Sequence, residues 1–206
     1  MPALEFTIEN ALRSEGYSHI CGIDEAGRGP LFGPVAAAAC ILPADEPIPG
    51  LDDSKKLTAR VRDRLFDVIR DVAVSYGIAF ATVEEIERYN ILEAALLAMR
   101  RAVDSMSQKP DFLIVDGNIF RGFDLPGRCV VHGDAISPSI AAASVLAKVS
   151  RDRICIELDE KYPGYGIAKH KGYGTREHLE AIRSLGPTPE HRLSFLHLDH
   201  GGDGRR

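Results

Sequence analysis

Residues Phe112-Leu113-Ile114-Val115 are apolar without interruption, fenced by Pro110 ahead and by Asp116-Gly117 behind. A strand with one wet face would alternate in polarity; an unbroken apolar run is the pattern of a strand covered on both faces. A chain that carries it needs helices layered against a sheet.

The flanking segments supply those layers. Leu4, Ile8 and Leu12 recur every four residues within Pro2–Ser14, which predicts a short amphipathic helix ending at Gly16. His19–Ile23 and Val35–Leu42 read as strands, although Ala36–Ala39 suits a helix equally well by propensity. Beyond the Pro- and Asp-containing loop Asp45–Asp53, Thr58 is placed to cap a helix carrying Val61, Leu65, Val68, Ile69 and Val72. Val72–Ala81 reads as the next strand. Thr82-Val83-Glu84-Glu85 has the form of a capping box and Asn90-Ile91-Leu92-Glu93 repeats it, before Leu92, Leu96, Met99, Val103 and Met106 line one helical face.

After the central run, Arg128–His132 reads as a short strand. Ser137-Pro138 then caps and opens a helix that reaches about Tyr162, where Pro163-Gly164 stops it. A last helix is expected over Arg176–Ser184. Strands interleaved with helices make an α/β layered domain, with no internal repeat and no interdomain linker. The expected division is a core over about 18–164, a C-terminal extension over about 165–196 and a flexible tail, 197–206. In that tail His197 and His200 are open to two readings, metal ligands or a solvated end.

A chain of 206 residues with 45% hydrophobic content can build one sizeable domain with a buried core. No apolar run is long enough to span a bilayer. Met1–Glu15 carries Glu5 and Glu9 where a secretory signal would be basic and then apolar, so a cytoplasmic protein is expected. Cys21, Cys40, Cys129 and Cys155 are widely spaced among apolar neighbours and read as small buried hydrophobes, not zinc ligands or disulfide partners. The net charge of −5 argues against a uniformly basic coat for nucleic acid, yet the distribution is uneven. Lys55, Lys56, Arg60, Arg62 and Arg64 face the single acid Asp63, and 142–176 is also basic on balance, which permits a polyanionic ligand.

Acids stand at the exits of three predicted strands: Asp24 and Glu25 after the first, Asp116 after the central run, Asp134 after the Arg128–His132 strand. Neighbouring strand ends can bring all four together, and two carboxylates about 5 Å apart repel by roughly 3 kcal/mol at an effective dielectric of 20. Such a cluster must hold protons or cations, and oxygen donors without Cys or His favour Mg²⁺ or Mn²⁺ over zinc. Two such ions can activate water and stabilise a leaving oxygen in phosphodiester cleavage. Taken singly, Asp116-Gly117 also fits a turn, and Asp134 also fits an acid placed at a helix start.

Gly27-Arg28-Gly29-Pro30 is no nucleotide loop: Gly-Lys-Ser/Thr is missing, and Gly27, Gly29 and Gly33 miss the dinucleotide spacing by one residue. Two glycines around an arginine let backbone approach a ligand closely, or make an ordinary tight turn. Ser144, Lys148 and Arg151 form one polar stripe on the helix after Pro138, open to phosphate contact or to solvation. Tyr173, between glycines in a basic loop, is placed to stack on a sugar or base, or else to pack.

Taken together, Asp24-Glu25-Ala26-Gly27-Arg28-Gly29-Pro30, Asp52-Asp53-Ser54-Lys55-Lys56-Leu57, Asp116-Gly117-Asn118, Gly133-Asp134, the run Ala143–Asp152 and His170-Lys171-Gly172-Tyr173-Gly174-Thr175 resemble bacterial ribonuclease HII, the type 2 ribonuclease H. The resemblance runs in order from about His19 to Phe195. It implies a ribonuclease H-like α/β fold: a mixed five-stranded sheet flanked by helices, with a C-terminal helical extension. It implies that Asp24, Glu25, Asp116 and Asp134 bind Mg²⁺ or Mn²⁺ and carry catalysis. By the same carry-over Gly27, Arg28 and Gly29 detect the ribose 2′-hydroxyl, Tyr173 stacks on the deoxyribose after an RNA-to-DNA junction, and Ser54, Lys55, Ser144 and Lys148 hold phosphates.

The implied reaction is endonucleolytic hydrolysis on the 5′ side of a ribonucleotide, leaving 3′-hydroxyl and 5′-phosphate ends. The implied partners are RNA/DNA hybrid duplexes and DNA duplexes with embedded ribonucleotides, bound by a monomer. Type 3 enzymes resemble the chain less, having an extra N-terminal domain and a Gly-Lys-Gly cradle. One departure is Leu193, after His191-Arg192, where the family often has a second arginine. Two rival readings are a junction resolvase-like two-metal nuclease of the same fold, and a noncatalytic hybrid-binding module. Gly-Arg-Gly and Tyr173 argue against the first, and the intact acids against the second.

Overall fold

A computed structural model describes residues 4–44 and 46–196. Five strands, β1 (Ile20–Ala26), β2 (Val35–Ile41), β3 (Ser75–Ala81), β4 (Phe112–Asp116) and β5 (Gly127–Val130), form one sheet in the order β3-β2-β1-β4-β5. β2 is antiparallel to β1 and β3, whereas β4 and β5 run parallel to β1. The expected mixed five-stranded sheet is therefore present. The apolar run of β4 lies between β1 and β5 with Phe112–Val115 buried.

The alanine run is a strand, and burial explains why. All seven residues of β2 are buried, and alternate members enter opposite cores: Val35, Ala37, Ala39 and Ile41 on one face, Ala38 and Cys40 on the other. Small side chains at consecutive positions let helices lie close on both faces at once. α4 (Ile91–Asp104) covers the first face and α2 (Ala59–Val72) and α5 (Pro138–Lys161) the second. At Gly22 the approach is closest: a Cβ there would stand 2.1 Å from the Ser139 carbonyl carbon, so α5 rests directly on β1.

Local signals set most helix starts. Thr58 accepts from Val61 N, and Thr82 and Glu85 complete a reciprocal capping box at α3 (Val83–Tyr89). Asn90 caps α4 by accepting from Leu92 and Glu93 N, but Glu93 turns away to pair with Arg121 instead of closing a second box. Ser137 accepts from Ile140 N at the head of α5, whose first half is buried all round. The first helix, α1, spans only Thr7–Ser14, with Phe6 as its N-cap. Val72 belongs to α2 and not to the next strand, because Ala73 ends the helix in extended conformation and β3 begins at Ser75. β5 stops at Val130, since His132 adopts a left-handed φ of 55° and turns the chain into the 3-10 turn Gly133–Ala135.

Beyond α5, a short helix α6 (Ile167–His170), not foreseen in the basic loop, and α7 (Arg176–Leu185) contribute Ile167 and Ile182 to a small core with Phe32, Cys155 and Tyr165. Cys21, Cys40 and Cys155 are buried and Cys129 half-buried, all as free thiols. Among the described residues no helix is long and apolar enough to cross a membrane. The tail with His197 and His200 lies outside the described residues.

Candidate active site

β1 and β4 are neighbours and parallel, with Ile23 beside Val115, so both strands end on the same edge and deliver Asp24 and Asp116 together. Ligand sites of α/β sheets lie at such carboxyl ends. Asp134 arrives from the 3-10 turn after β5. One carboxylate oxygen from each of Asp24, Asp116 and Asp134 lies within 4.8 Å of the others. Asp24 is 4% exposed and Asp134 5%, while Asp116 is half-buried.

The group is tied down by its own backbone. Glu25 N donates to Asp24 Oδ1 at 2.7 Å, and Gly133 N donates to Asp116 Oδ1 at 2.7 Å. Burial raises the Asp24 carboxyl well above the usual range, helped by the charges of Glu25 and Asp116 and opposed by a hydrogen bond from Ser144. Asp116 is raised by burial and then by Asp134. The acids therefore hold mutual repulsion that a cation would relieve.

Glu25, the fourth expected acid, stands apart from that trio. Consecutive strand residues point to opposite faces, so Asp24 turns toward Ser144 on α5 while Glu25 turns toward α4. There Glu25 accepts from Arg28 Nη1 at 3.2 Å and, with Asp116, borders a recess walled by Leu92, Leu96, Met99 and Asn118. Burial still raises its carboxyl, against the pull of Arg28.

An open cleft of about 760 Å³ adjoins the acids, lined by Asp24, Glu25, Asp116, Gly27–Gly29, Ser54, Lys55, Ser144, Lys148 and Tyr173. Every expected contact residue except Asp134 thus faces one space. Their local partners differ from simple phosphate donors, however. Lys55 Nζ donates to Asp134 Oδ2 at 3.0 Å, Lys148 Nζ to Asp152 Oδ1 at 2.7 Å, and the Ser54 and Ser144 hydroxyls are 2.8 Å apart and buried. Arg62, on the basic face of α2, holds the Ser54–Leu57 turn by donating to the Ser54 and Leu57 carbonyls. Tyr173 is 49% exposed at the mouth, its ring 3.6 Å from where a Cβ on Gly29 would stand.

Arg151 corrects the expectation of a polar stripe open to phosphate. It is 1% exposed and donates to the carbonyls of Phe32, Pro34 and Lys171, bracing the chain that leaves the glycine turn. Gly27, with φ of 99°, makes room for it: a Cβ there would fall 1.9 Å from Arg151 Nε. Arg192, which the sequence gives no role of its own, is fully buried and donates to the carbonyls of Gly27, Arg28, Pro30 and Gly33. Buried arginines look like surface ones in sequence, because their partners are backbone groups, all but the Lys171 carbonyl more than a hundred residues away.

Comparison with known proteins places this geometry. The family model described as Ribonuclease HII matches residues 21–198. A ribonuclease HII from Desulfitobacterium hafniense (strain Y51) is 54% identical over 194 residues, covering 91% of this chain and 75% of that protein. One from Syntrophotalea carbinolica is 52% identical over 187 residues, covering 91% and 90%. The crystal structure of the ribonuclease H2 from Pyrococcus horikoshii OT3 superposes with a TM-score of 0.71 at 27% identity, covering 86% of this chain and 93% of that one. With a sheet of the same class, acids at its strand ends and relatives above half identity across nearly the whole chain, this protein belongs to the ribonuclease HII family and is a ribonuclease H.

Proposed function

We propose that this ribonuclease H is a metal-dependent endonuclease that hydrolyses the phosphodiester on the 5′ side of a ribonucleotide, in RNA/DNA hybrids and in DNA duplexes with single embedded ribonucleotides. The products are 3′-hydroxyl and 5′-phosphate ends, and the setting is cytoplasmic excision of ribonucleotides and RNA primers by a monomer. The observation that carries this reading is the cleft itself, where the acid trio adjoins the Gly27–Gly29 turn and Tyr173.

Asp24, Asp116 and Asp134 fit a divalent cation: their donors are all oxygen, they converge within 4.8 Å, and burial and repulsion disfavour the charges of Asp24 and Asp116 when no cation balances them. Glu25, which borders a recess together with Asp116, would complete this set as the fourth acid holding the metal. Mg²⁺ or Mn²⁺ suits such donors, and bound there would supply activation of the attacking water and neutralisation of the leaving oxygen.

The chain's own residues do the remaining work. Gly27, Arg28 and Gly29 meet the ribose edge through backbone and so read the 2′-hydroxyl. Lys55 and Lys148 meet phosphates, with Ser54 and Ser144 fixing the floor beneath them. Tyr173 offers its exposed face to the sugar after the junction.

The deciding experiment incubates the protein and an Asp134→Asn variant with a DNA duplex holding one ribonucleotide, an RNA/DNA hybrid and an all-DNA duplex, with and without Mg²⁺ or Mn²⁺. Cutting 5′ of the ribonucleotide, dependent on metal and lost in the variant, is the expected result. Equal cutting of all-DNA duplex would end the reading, and undiminished activity in Asp134→Asn would remove that residue from the site.

A further inference from the structure

The Gly27–Gly33 segment is held from within by the C-terminal extension. Residues 190–192 run antiparallel to 31–33: Gly33 N donates to Glu190 O at 2.8 Å, Arg192 N donates to Leu31 O at 2.8 Å, and Phe32 forms a bridge with His191. From that backbone the Arg192 guanidinium reaches Gly27 O at 2.7 Å, Arg28 O at 3.1 Å, Pro30 O at 2.8 Å and Gly33 O at 2.9 Å. One rigid planar fork thus fixes four peptide planes of a segment that contains three glycines, Gly27, Gly29 and Gly33, and would otherwise be soft.

The direction of those planes matters. In a trans peptide the carbonyl and the following N–H point opposite ways, and the described residues contain no cis peptide. The Gly27 and Arg28 carbonyls point inward at Arg192, so the N–H groups of Arg28 and Gly29 point away from it, and those residues line the cleft. We propose that Arg192 is the positioning residue of ribose recognition: it presets the Arg28 and Gly29 amides to donate to a 2′-hydroxyl that it never touches. This rests on the reading of the Gly27–Gly29 turn given under Proposed function.

The test compares wild type with Arg192→Lys, which keeps the charge but cannot fork across four carbonyls. Affinity is measured by fluorescence anisotropy, in EDTA to block cleavage, for a duplex with one ribonucleotide and for its all-DNA counterpart. The variant should lose roughly tenfold of the preference for the ribonucleotide duplex, about one hydrogen bond's worth, with all-DNA affinity within about twofold. A merely structural arginine would lower both affinities together or neither, and either result overturns the proposal. If the variant does not fold, NMR on the wild type decides. The Arg28 and Gly29 amide signals should shift with the ribonucleotide duplex and not with all-DNA, while the Arg192 guanidinium N–H stays protected from exchange. A guanidinium exchanging like a surface arginine overturns the proposal. Wild type without any preference overturns both this and the 2′-hydroxyl reading, whereas a preference fully retained in Arg192→Lys overturns this one alone.

Discussion

Glu9 on α1 and Ser137 at the head of α5 are joined inside the protein, 128 residues apart in sequence: Ser137 Oγ donates to Glu9 Oε1 at 2.7 Å, and Ser139 N donates to the same oxygen at 3.1 Å. Glu9 is 0% exposed. An acid at the start of a helix meets its unpaired N–H groups and the positive end of its dipole. Here the acid is supplied by another helix, and the capped end of α5 follows directly on the Gly133–Ala135 turn that carries Asp134.

Glu9→Ala should therefore destabilise the protein by about 1–3 kcal/mol, because it strands a buried hydroxyl and a buried amide. For a chain of this size that lowers the melting temperature by several degrees. Glu9→Gln keeps the accepting oxygen, and Oε2 has no partner among the described residues, so it should cost clearly less. Thermal melts of the three proteins check the order; an unchanged melt for Glu9→Ala removes the link.

Gly27→Ala and Gly117→Ala separate close packing from backbone strain. Both glycines have φ near 100°, but a Cβ at Gly27 strikes Arg151 while one at Gly117 meets nothing within 4 Å. The second change should cost on the order of 1–2 kcal/mol from the left-handed backbone alone. The first adds displacement of a buried guanidinium and should cost several kcal/mol and most of the activity. Equal denaturant midpoints for the two variants would contradict the packing argument.

His178 and His191 face each other through Nε2 atoms 3.2 Å apart, 0% and 2% exposed, so the pair has room for one bridging proton. Burial and the neighbouring imidazole push the His191 pKa down from 6.5 to about 4, and burial lowers His178 as well. Above about pH 6.5 neither state takes up these protons and stability is constant. Between about 6.5 and 4 the unfolded chain binds protons that the folded one refuses, so stability falls as pH falls. Below about 4 that loss is complete. His191→Gln should flatten this limb in urea midpoints measured from about pH 7.5 to 4.5; a limb as steep as wild type would assign the acid sensitivity elsewhere.

Such interior ties leave no local signal in the sequence. Asp24, Asp116 and Asp134 were legible because each follows a strand signal, and parallel neighbours must end together. That Glu25 turns to the opposite face follows from strand alternation, yet its consequence, the pairing with Arg28, needed the turn's shape. Val72 fits both the helical stripe and the start of the strand, because a β-branched residue at a helix end looks like a strand start; only the extended Ala73 marks the boundary. Arg151 and Arg192 were out of reach, since nothing local separates an arginine that binds carbonyls from one that binds water.

Lys55 has two readings that salt can separate. It stands 3.0 Å from Asp134 Oδ2 and is itself largely exposed, 74% along its side chain. If it holds substrate phosphate, Lys55→Met should weaken binding of every duplex alike and reduce the slope of log affinity against log salt by about one. If its only role is to neutralise Asp134, the salt slope should stay at the wild-type value. Binding isotherms at three or four salt concentrations distinguish the two, and the first outcome is expected.

Tyr173 is the clearest case of an aromatic side chain that stability does not explain. Its ring is half exposed, while its backbone is anchored: Tyr173 N donates to His170 O at 3.0 Å, and Tyr173 O accepts from Thr175 N at 2.8 Å and lies 2.9 Å from His178 Nδ1. An exposed ring on a fixed backbone contributes little to folding and is free to stack. Tyr173→Ala should therefore melt within about 1 kcal/mol of wild type, yet lose on the order of 10-fold or more in kcat/KM on a duplex with an RNA-to-DNA junction, the size of one stacking contact. The loss on a long RNA/DNA hybrid should be smaller. Tyr173→Phe, which keeps the face and removes the hydroxyl, should retain most of the junction preference. A preference untouched by Tyr173→Ala would return the ring to ordinary packing, and a loss as large in Tyr173→Phe would move the interaction from the ring face to the hydroxyl.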